Sequence, residues 1–285
     1  MSLCAWDQRI RRASELSSVY PFAAEALHFY ERMAPLQGSL YRDFEQEFAN
    51  SADLAVLSSP HSLREELDIA ALVPRFSWFL AAIEPIAPMP LARAAGTLAR
   101  RGSAVRGRVM SDFWQREARL SSAVVSSEHE SNASETMLNE SLAWLFLQPY
   151  AEHIRDRHGP VHVEGTPSNC PLCAAKPIVG VLRPEGDGAK KSLICMLCAH
   201  EWTFRRLYCP SCGEEREPRM AFYSAPEIPH VRVDVCDTCH TYLKSVDLTK
   251  TGLAVPIIDE LATLPLDLWA RENGYTKLQI NILGI

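Results

Sequence analysis

The spacing of apolar residues divides the chain into a helical first part and a strand-rich later part. Over residues 5–18 and 22–33 apolar side chains recur at three- and four-residue steps, the period of a helix that buries one face. Pro21 follows Ser17 and Ser18, an arrangement that suits a helix start. Residues 38–50 place Leu40, Phe44 and Phe48 on one face. Residues 73–86 are densely apolar, with Pro74 near the start and Pro85, Pro88 and Pro90 closing the run. Ser134 and Glu140 open a long pattern over 136–157, and Gly159 and Pro160 end it. Residues 121–136 hold six serines and few apolar side chains, which predicts a loop inside the helical part.

Beyond residue 170 the period changes. Short runs at 177–182, 192–195, 202–207, 220–223, 231–235 and 242–248 predict strands, with turn clusters at 184–188 and 226–229. Helical patterning returns at 257–263 and 266–272, and an apolar run over 278–285 is expected to pack on the strands. The segment 158–169, with Gly159, Pro160, Gly165 and Pro167, is the preferred boundary. The expected architecture is an α+β multidomain protein. An all-α domain spans 1–160, two tandem small β modules span 161–207 and 208–250, and a short helical C-terminal segment spans 251–285.

Composition narrows the class. The 285 residues are 47% apolar and 22% charged, which excludes a disordered or collagen-like chain. The net charge of −6 argues against bulk attraction to nucleic acid or anionic membrane. No apolar run approaches the roughly 18 residues of a membrane span. The N-terminus carries Asp7, Arg9, Arg11, Arg12 and Glu15 in place of an apolar signal core, so a cytoplasmic location with reduced thiols is expected.

Eight of nine cysteines fall in four Cys-x-x-Cys pairs: Cys170 and Cys173, Cys195 and Cys198, Cys209 and Cys212, Cys236 and Cys239. A two-residue gap lets both sulfurs of a tight turn face one ion, and two such knuckles complete a tetrahedral S4 site. Pairing in sequence order leaves intervals of 21 and 23 residues, and nested pairing leaves 10 and 62. Loop entropy separates these schemes by only a few tenths of a kcal/mol. An internal repeat decides for sequence order. Each half runs knuckle, strand, turn, strand, knuckle, aromatic strand, offset by 39 residues at the first knuckle and 41 at the second. The modules are therefore expected to be rubredoxin-like or zinc-ribbon-like. Each would be self-contained and too small to fold without its metal. Iron and zinc both suit S4. Cys209-Pro-Ser-Cys212-Gly213 has the form of a rubredoxin knuckle, whereas Ala174, Ala199 and His240 follow the other three.

The stretches Phe146-Leu-Gln-Pro-Tyr150, Asn169-Cys-Pro-Leu-Cys173, Cys198-Ala-His-Glu-Trp202, Arg206-Leu-Tyr-Cys-Pro-Ser-Cys-Gly213 and Cys236-Asp-Thr-Cys-His-Thr-Tyr-Leu-Lys244 resemble the FdhE family, the accessory proteins of formate dehydrogenase. The likeness is strongest over residues 142–245. It implies a helical N-terminal domain, two rubredoxin-like modules with iron on the eight paired cysteines, and no catalytic turnover. It also implies a partner, the catalytic subunit of a molybdenum or tungsten formate dehydrogenase in the cytoplasm, whose assembly or activation the protein supports.

Other features have plainer readings beside the functional ones. Trp202, Tyr242, His200 and His240 flank knuckles, either shielding a metal or filling module core. Arg93, Arg100, Arg101, Arg106 and Arg108 form a run free of acids, read as a solvated helix face, with an anchor for an acidic partner as the alternative. Cys4 is incidental. Thioredoxin-like chemistry needs a knuckle at a helix N-terminus, not in hairpins. Two other functions compete. A rubredoxin-like electron carrier would need iron. A zinc-ribbon nucleic-acid binder meets an unfavourable charge: residues 170–250 carry 11 Lys and Arg against 10 Asp and Glu. Two S4 sites with divalent ions would lower that further.

Overall fold

A computed structural model describes residues 3–48, 62–119, 130–158, 165–282 and 284. The helical part comprises α1 (Leu3–Val19), α2 (Ala24–Phe48), the single turn α3 (Ser62–Glu65), α4 (Val73–Ile83), α5 (Met89–Arg100), α6 (Ser103–Arg119) and α7 (Glu130–His158). The two helices expected over 22–33 and 38–50 are one, α2, which runs through Pro35. A proline inside a helix costs about 3 kcal/mol. Here Met33, Ala34, Leu40 and Phe44 are all buried on either side of it, and that packing offsets the cost. The serine-rich loop expected at 121–136 lies partly outside the described residues, and its last residues belong to α7.

Helix α7 is the axis of the bundle. Every residue from Leu142 to Arg155 is buried, so the helix is surrounded and shows no polar face over that length. Phe146 packs against Phe76, Phe79 and Tyr150 at centroid distances of 5.0–5.6 Å. Pro149 has no N–H for the carbonyl of Leu145, four residues earlier. Gln37 of α2 replaces it, with Nε2 donating to that carbonyl at 2.7 Å. A buried polar chain continues from there. Gln37 Nε2 donates to Gln148, Gln148 to Glu152, and Arg9 to Glu152, tying α1, α2 and α7 together.

The later part forms one sheet: β1 (Pro177–Glu185), β2 (Gly188–Cys195), β3 (Glu201–Thr203), β4 (Met220–Ala225), β5 (Ile228–Cys236) and β6 (Thr241–Asp247). Their order is β3-β2-β1-β6-β5-β4. Each repeat is thus a three-stranded antiparallel meander, but the two are not self-contained. Strands β1 and β6 pair in parallel, Gly180 opposite Ser245 and Val181 opposite Val246. A Cβ on Gly180 would run into Ser245 Oγ, so glycine is what lets the meanders join. Across the same seam Lys191 Nζ donates to Asp234 at 2.7 Å and Ser245 Oγ to the same oxygen at 2.6 Å. The strand expected over 202–207 is shorter, ending at Thr203.

Helices α8 (Pro256–Ala262) and α9 (Leu264–Glu272) pack on this sheet. The tail then adds β7 (Thr276–Lys277) parallel to β6. The helices are held by buried charge. Lys244 is fully buried and meets Asp267 at 2.5 Å and Glu260 at 3.1 Å. Lys277 meets Asp267 at 2.9 Å, and Tyr242 donates to Asp267 at 2.9 Å. Arg12 of α1 and His230 of β5 both reach Asp259, which joins the bundle to the sheet. One apolar core runs without interruption from the bundle into the sheet. Among the described residues, no helix is long and apolar enough to cross a membrane.

Two predictions follow from these buried groups. Gln37→Leu keeps the bulk but strands the Leu145 carbonyl. It is expected to lower unfolding free energy by about 1–3 kcal/mol in urea titrations followed by circular dichroism; an unchanged midpoint would show that the carbonyl does not need this donor. His153 is packed edge-on against Tyr41 and Phe44. Burial, aided by Arg157, pushes it from 6.5 down to about 4. The unfolded chain therefore binds the extra proton first, and stability contributed by the neutral ring is lost as pH falls from about 6.5 towards 4. Thermal melts across that window should show the wild type declining more steeply than His153→Gln.

Candidate metal centres

The four knuckles share one local design. In the first, Ala174 N–H donates to the Cys170 carbonyl and Cys170 N–H to the Ala175 carbonyl, both at 2.8 Å. In the third, Gly213 N–H donates to Cys209 and Cys209 N–H to Glu214. In the fourth, His240 N–H donates to Cys236. The residue after each second cysteine is left-handed: Ala174, Ala199, Gly213 and His240 have φ of 58°, 51°, 76° and 53°. The tight turn requires this, and it costs an L-residue about 1–2 kcal/mol. Gly213 alone meets it without that cost.

The structure brings the eight cysteines into two groups, in sequence order. Cys170, Cys173, Cys195 and Cys198 form one, and Cys209, Cys212, Cys236 and Cys239 the other, with the sulfurs of each group within 4.8 Å of one another. Sulfur separations are 3.6 Å for Cys170–Cys198, 3.4 Å for Cys173–Cys195 and 3.7 Å for Cys173–Cys198. In the second group they are 3.7 Å for Cys209–Cys239 and 3.6 Å for Cys212–Cys236. A tetrahedral ion with bonds of about 2.3 Å to sulfur has S···S edges of about 3.8 Å. The donor sets fit such an ion.

The electrostatics agree. In the first group burial opposes ionisation, yet the facing thiols and the Arg64 guanidinium hold Cys173 well below the ordinary thiol range. Burial pushes Cys195 and Cys198 well above it. A divalent ion is what would let all four sulfurs ionise against that burial. In the second group burial again works upward, but the Thr241 hydroxyl, 2.9 Å away, and its N–H bring Cys239 down to about 7.

The surroundings of the two groups differ. Around the first, Arg64 of α3 donates to the Cys173 carbonyl at 2.6 Å, Arg155 of α7 to the Cys198 carbonyl at 2.5 Å, and Trp144 of α7 to the Met196 carbonyl at 3.1 Å. Sequence reading missed all three. They are ordinary helix residues, and nothing in their spacing marks a contact to a knuckle. Trp202 and Tyr242 point their polar ends at the Pro167 carbonyl and at Asp267, so both belong to module core and neither donates to a thiolate. His200 stacks on Trp202, and His240 packs near Tyr275. In the arginine run, Arg93, Arg100, Arg101 and Arg108 are exposed on α5, α6 and the turn between them. Arg106 is half-buried and donates to the Ala99 and Arg101 carbonyls at the end of α5. The side chain of Cys4 lies outside the described residues.

An all-α bundle fused to a sheet that carries two zinc-ribbon-like Cys4 clusters defines the class of this protein. Residues 169–206 match the FdhE central domain and residues 207–283 the FdhE C-terminal domain. A protein named FdhE homolog from Aquifex aeolicus is 32% identical over 164 residues, 57% of either chain. One of the same name from Shewanella oneidensis is 32% identical over 114 residues, 40% of this chain and 37% of that one. The matches thus span about half, or less, of these relatives. The crystal structure of the FdhE protein from Pseudomonas aeruginosa aligns with a TM-score of 0.64 over 99% of this chain and 96% of that one; at 24% identity this shows a common fold. Over residues 169–283 the chain is thus similar to the FdhE central and C-terminal domains.

The left-handed positions generate a prediction. Ala174→Gly and His240→Gly relieve the steric cost at φ near 55° while adding chain entropy, for an expected gain of up to about 1 kcal/mol each. Chemical denaturation of the metal-loaded protein measures this, and a loss of stability in both variants would contradict the knuckle geometry.

Proposed function

We propose that this protein is a non-enzymatic cytoplasmic accessory factor that binds the catalytic subunit of a formate dehydrogenase and supports its assembly or activation. The eight paired cysteines are its metal ligands, four to each ion, with iron as the first assignment and zinc as the alternative. The observation that carries the reading is the coincidence of two S4-shaped sulfur clusters with the FdhE central and C-terminal domains. The division into domains 1–160, 161–207, 208–250 and 251–285 belongs to the same proposal.

When bound, the ions supply rigidity through four strong bonds each, and iron would add a one-electron couple. The chain's own residues do the rest. The knuckle turns aim the sulfurs, Arg64 and Arg155 fix two knuckle carbonyls against the bundle, and the bundle offers an exposed basic face for contact with an acidic surface. Exposure of Cys212 favours a second reading, a rubredoxin-like electron carrier, because a short path to solvent brings a donor or acceptor close to a sulfur.

The test combines capture and metal analysis. Purified chain should retain purified formate dehydrogenase catalytic subunit on a column; no retention, with unchanged formate oxidation on deletion, overturns the reading. Protein prepared without oxygen should carry two ions. Iron with thiolate-to-iron charge-transfer bands and a reversible couple would favour the electron carrier; colourless zinc would exclude it.

A further inference from the structure

The two clusters sit in different environments. Cys170, Cys173, Cys195 and Cys198 are at most 1% exposed and belong to the continuous apolar core. Arginines from α3 and α7 hold two of their carbonyls, and Trp144 of α7 holds the Met196 carbonyl between Cys195 and Cys198. An incoming ligand reaches these sulfurs only if the bundle and sheet part, which breaks the core itself. In the second cluster Cys209 and Cys236 are buried, but Cys212 is exposed and Cys239 half-buried. The buried residues that make up the core include none of these four. The sheet beneath has its own anchors. Strand β6 pairs with β1, Lys244 and Lys277 bind Asp267, and Tyr242 donates to it. None of these contacts passes through the second cluster.

We infer that the two centres are unequal. The cluster of Cys170, Cys173, Cys195 and Cys198 is a permanent staple. The cluster of Cys209, Cys212, Cys236 and Cys239 is an exchange site that takes up and surrenders its ion to small soluble chelators while the chain stays folded. This rests on the reading of the eight cysteines as ligands. Exchange moves no electrons. The incoming ligand would donate lone pairs to the ion from the Cys212 side, the metal–sulfur bonds would break in turn, and the thiolates of Cys209, Cys212 and Cys236 would take protons from water while Cys239 stays a thiolate. Thr241, with its hydroxyl 2.9 Å from Cys239 Sγ, steadies the sulfur left charged.

The experiment uses the full chain loaded with zinc, mixed with excess 4-(2-pyridylazo)resorcinol, and follows chelate absorbance beside far-ultraviolet circular dichroism. One ion should leave in a fast phase with no change in dichroism. The second should leave more than about tenfold slower, a barrier difference of about 1.4 kcal/mol. Cys212→Ser should abolish the fast phase and keep the slow one, which also proves that the variant folds. Arg155→Met should quicken only the slow phase. Release of both ions together, a fast phase surviving in Cys212→Ser, or dichroism lost with the first ion overturns the inequality and leaves the ligand reading standing. A folded chain that takes up no zinc overturns both.

Discussion

Four sulfurs buried where bundle meets sheet are the constraint on which the rest of this molecule depends. Cys170, Cys173, Cys195 and Cys198 come from two knuckle turns, one before β1 and one between β2 and β3, and their sulfurs lie 3.4–3.7 Å apart in a core otherwise lined by Leu, Ile, Val and aromatic side chains. Such a cluster cannot ionise fully against that desolvation unless a cation shares the space. The surrounding chain is arranged to hold the turns still. Arg64 and Arg155 use guanidinium donors on knuckle carbonyls, and Trp144 uses its indole N–H on a third. The helical part is thereby made a wall of the first centre, not a neighbour of it.

The second dependence is the seam between the repeats. Parallel pairing of β1 and β6 buries strand edges that two separate modules would leave open. It also buries Lys191, Asp234 and Ser245 together at the point where Gly180 leaves room for the Ser245 hydroxyl. Asp234 is held below its ordinary range because Lys191 and Arg232 outweigh the burial that pushes it up. The carboxylates beneath α8 and α9 follow the same rule. Asp267 is buried, and Lys244 and Lys277 keep it ionised. Buried pairs of this kind add little net stability over apolar packing, but removing one partner is costly. Each such pair therefore admits few alternative arrangements.

Much of this was legible one-dimensionally because it is local. Knuckle spacing, hairpin turns and helix periods are set by residues within a few positions of one another. The repeat assigned the cysteines to two groups in sequence order, and the coordinates group them the same way. Where local signals competed with packing, packing won. The separate helical patterns over 22–33 and 38–50 are one helix, α2, which runs through Pro35 because Met33, Ala34, Leu40 and Phe44 are buried on either side of it. The aromatic residues after the knuckles were open between shielding a metal and filling core; only the positions of the Pro167 carbonyl and Asp267 resolved them.

By itself, then, the sequence determined the class of the modules, the eight candidate ligands and the helical character of the first half, since each is written in short spacings. Tertiary structure alone decided three things. It merged two repeats into one sheet through non-equivalent strands, β1 and β6, which no repeat comparison pairs. It brought Arg64 and Arg155 from distant helices to the first cluster. And it made one sulfur cluster interior and the other superficial. Nearly equal knuckles differ in burial only because the helical bundle covers one end of the sheet, and burial depends on what packs from elsewhere in the chain.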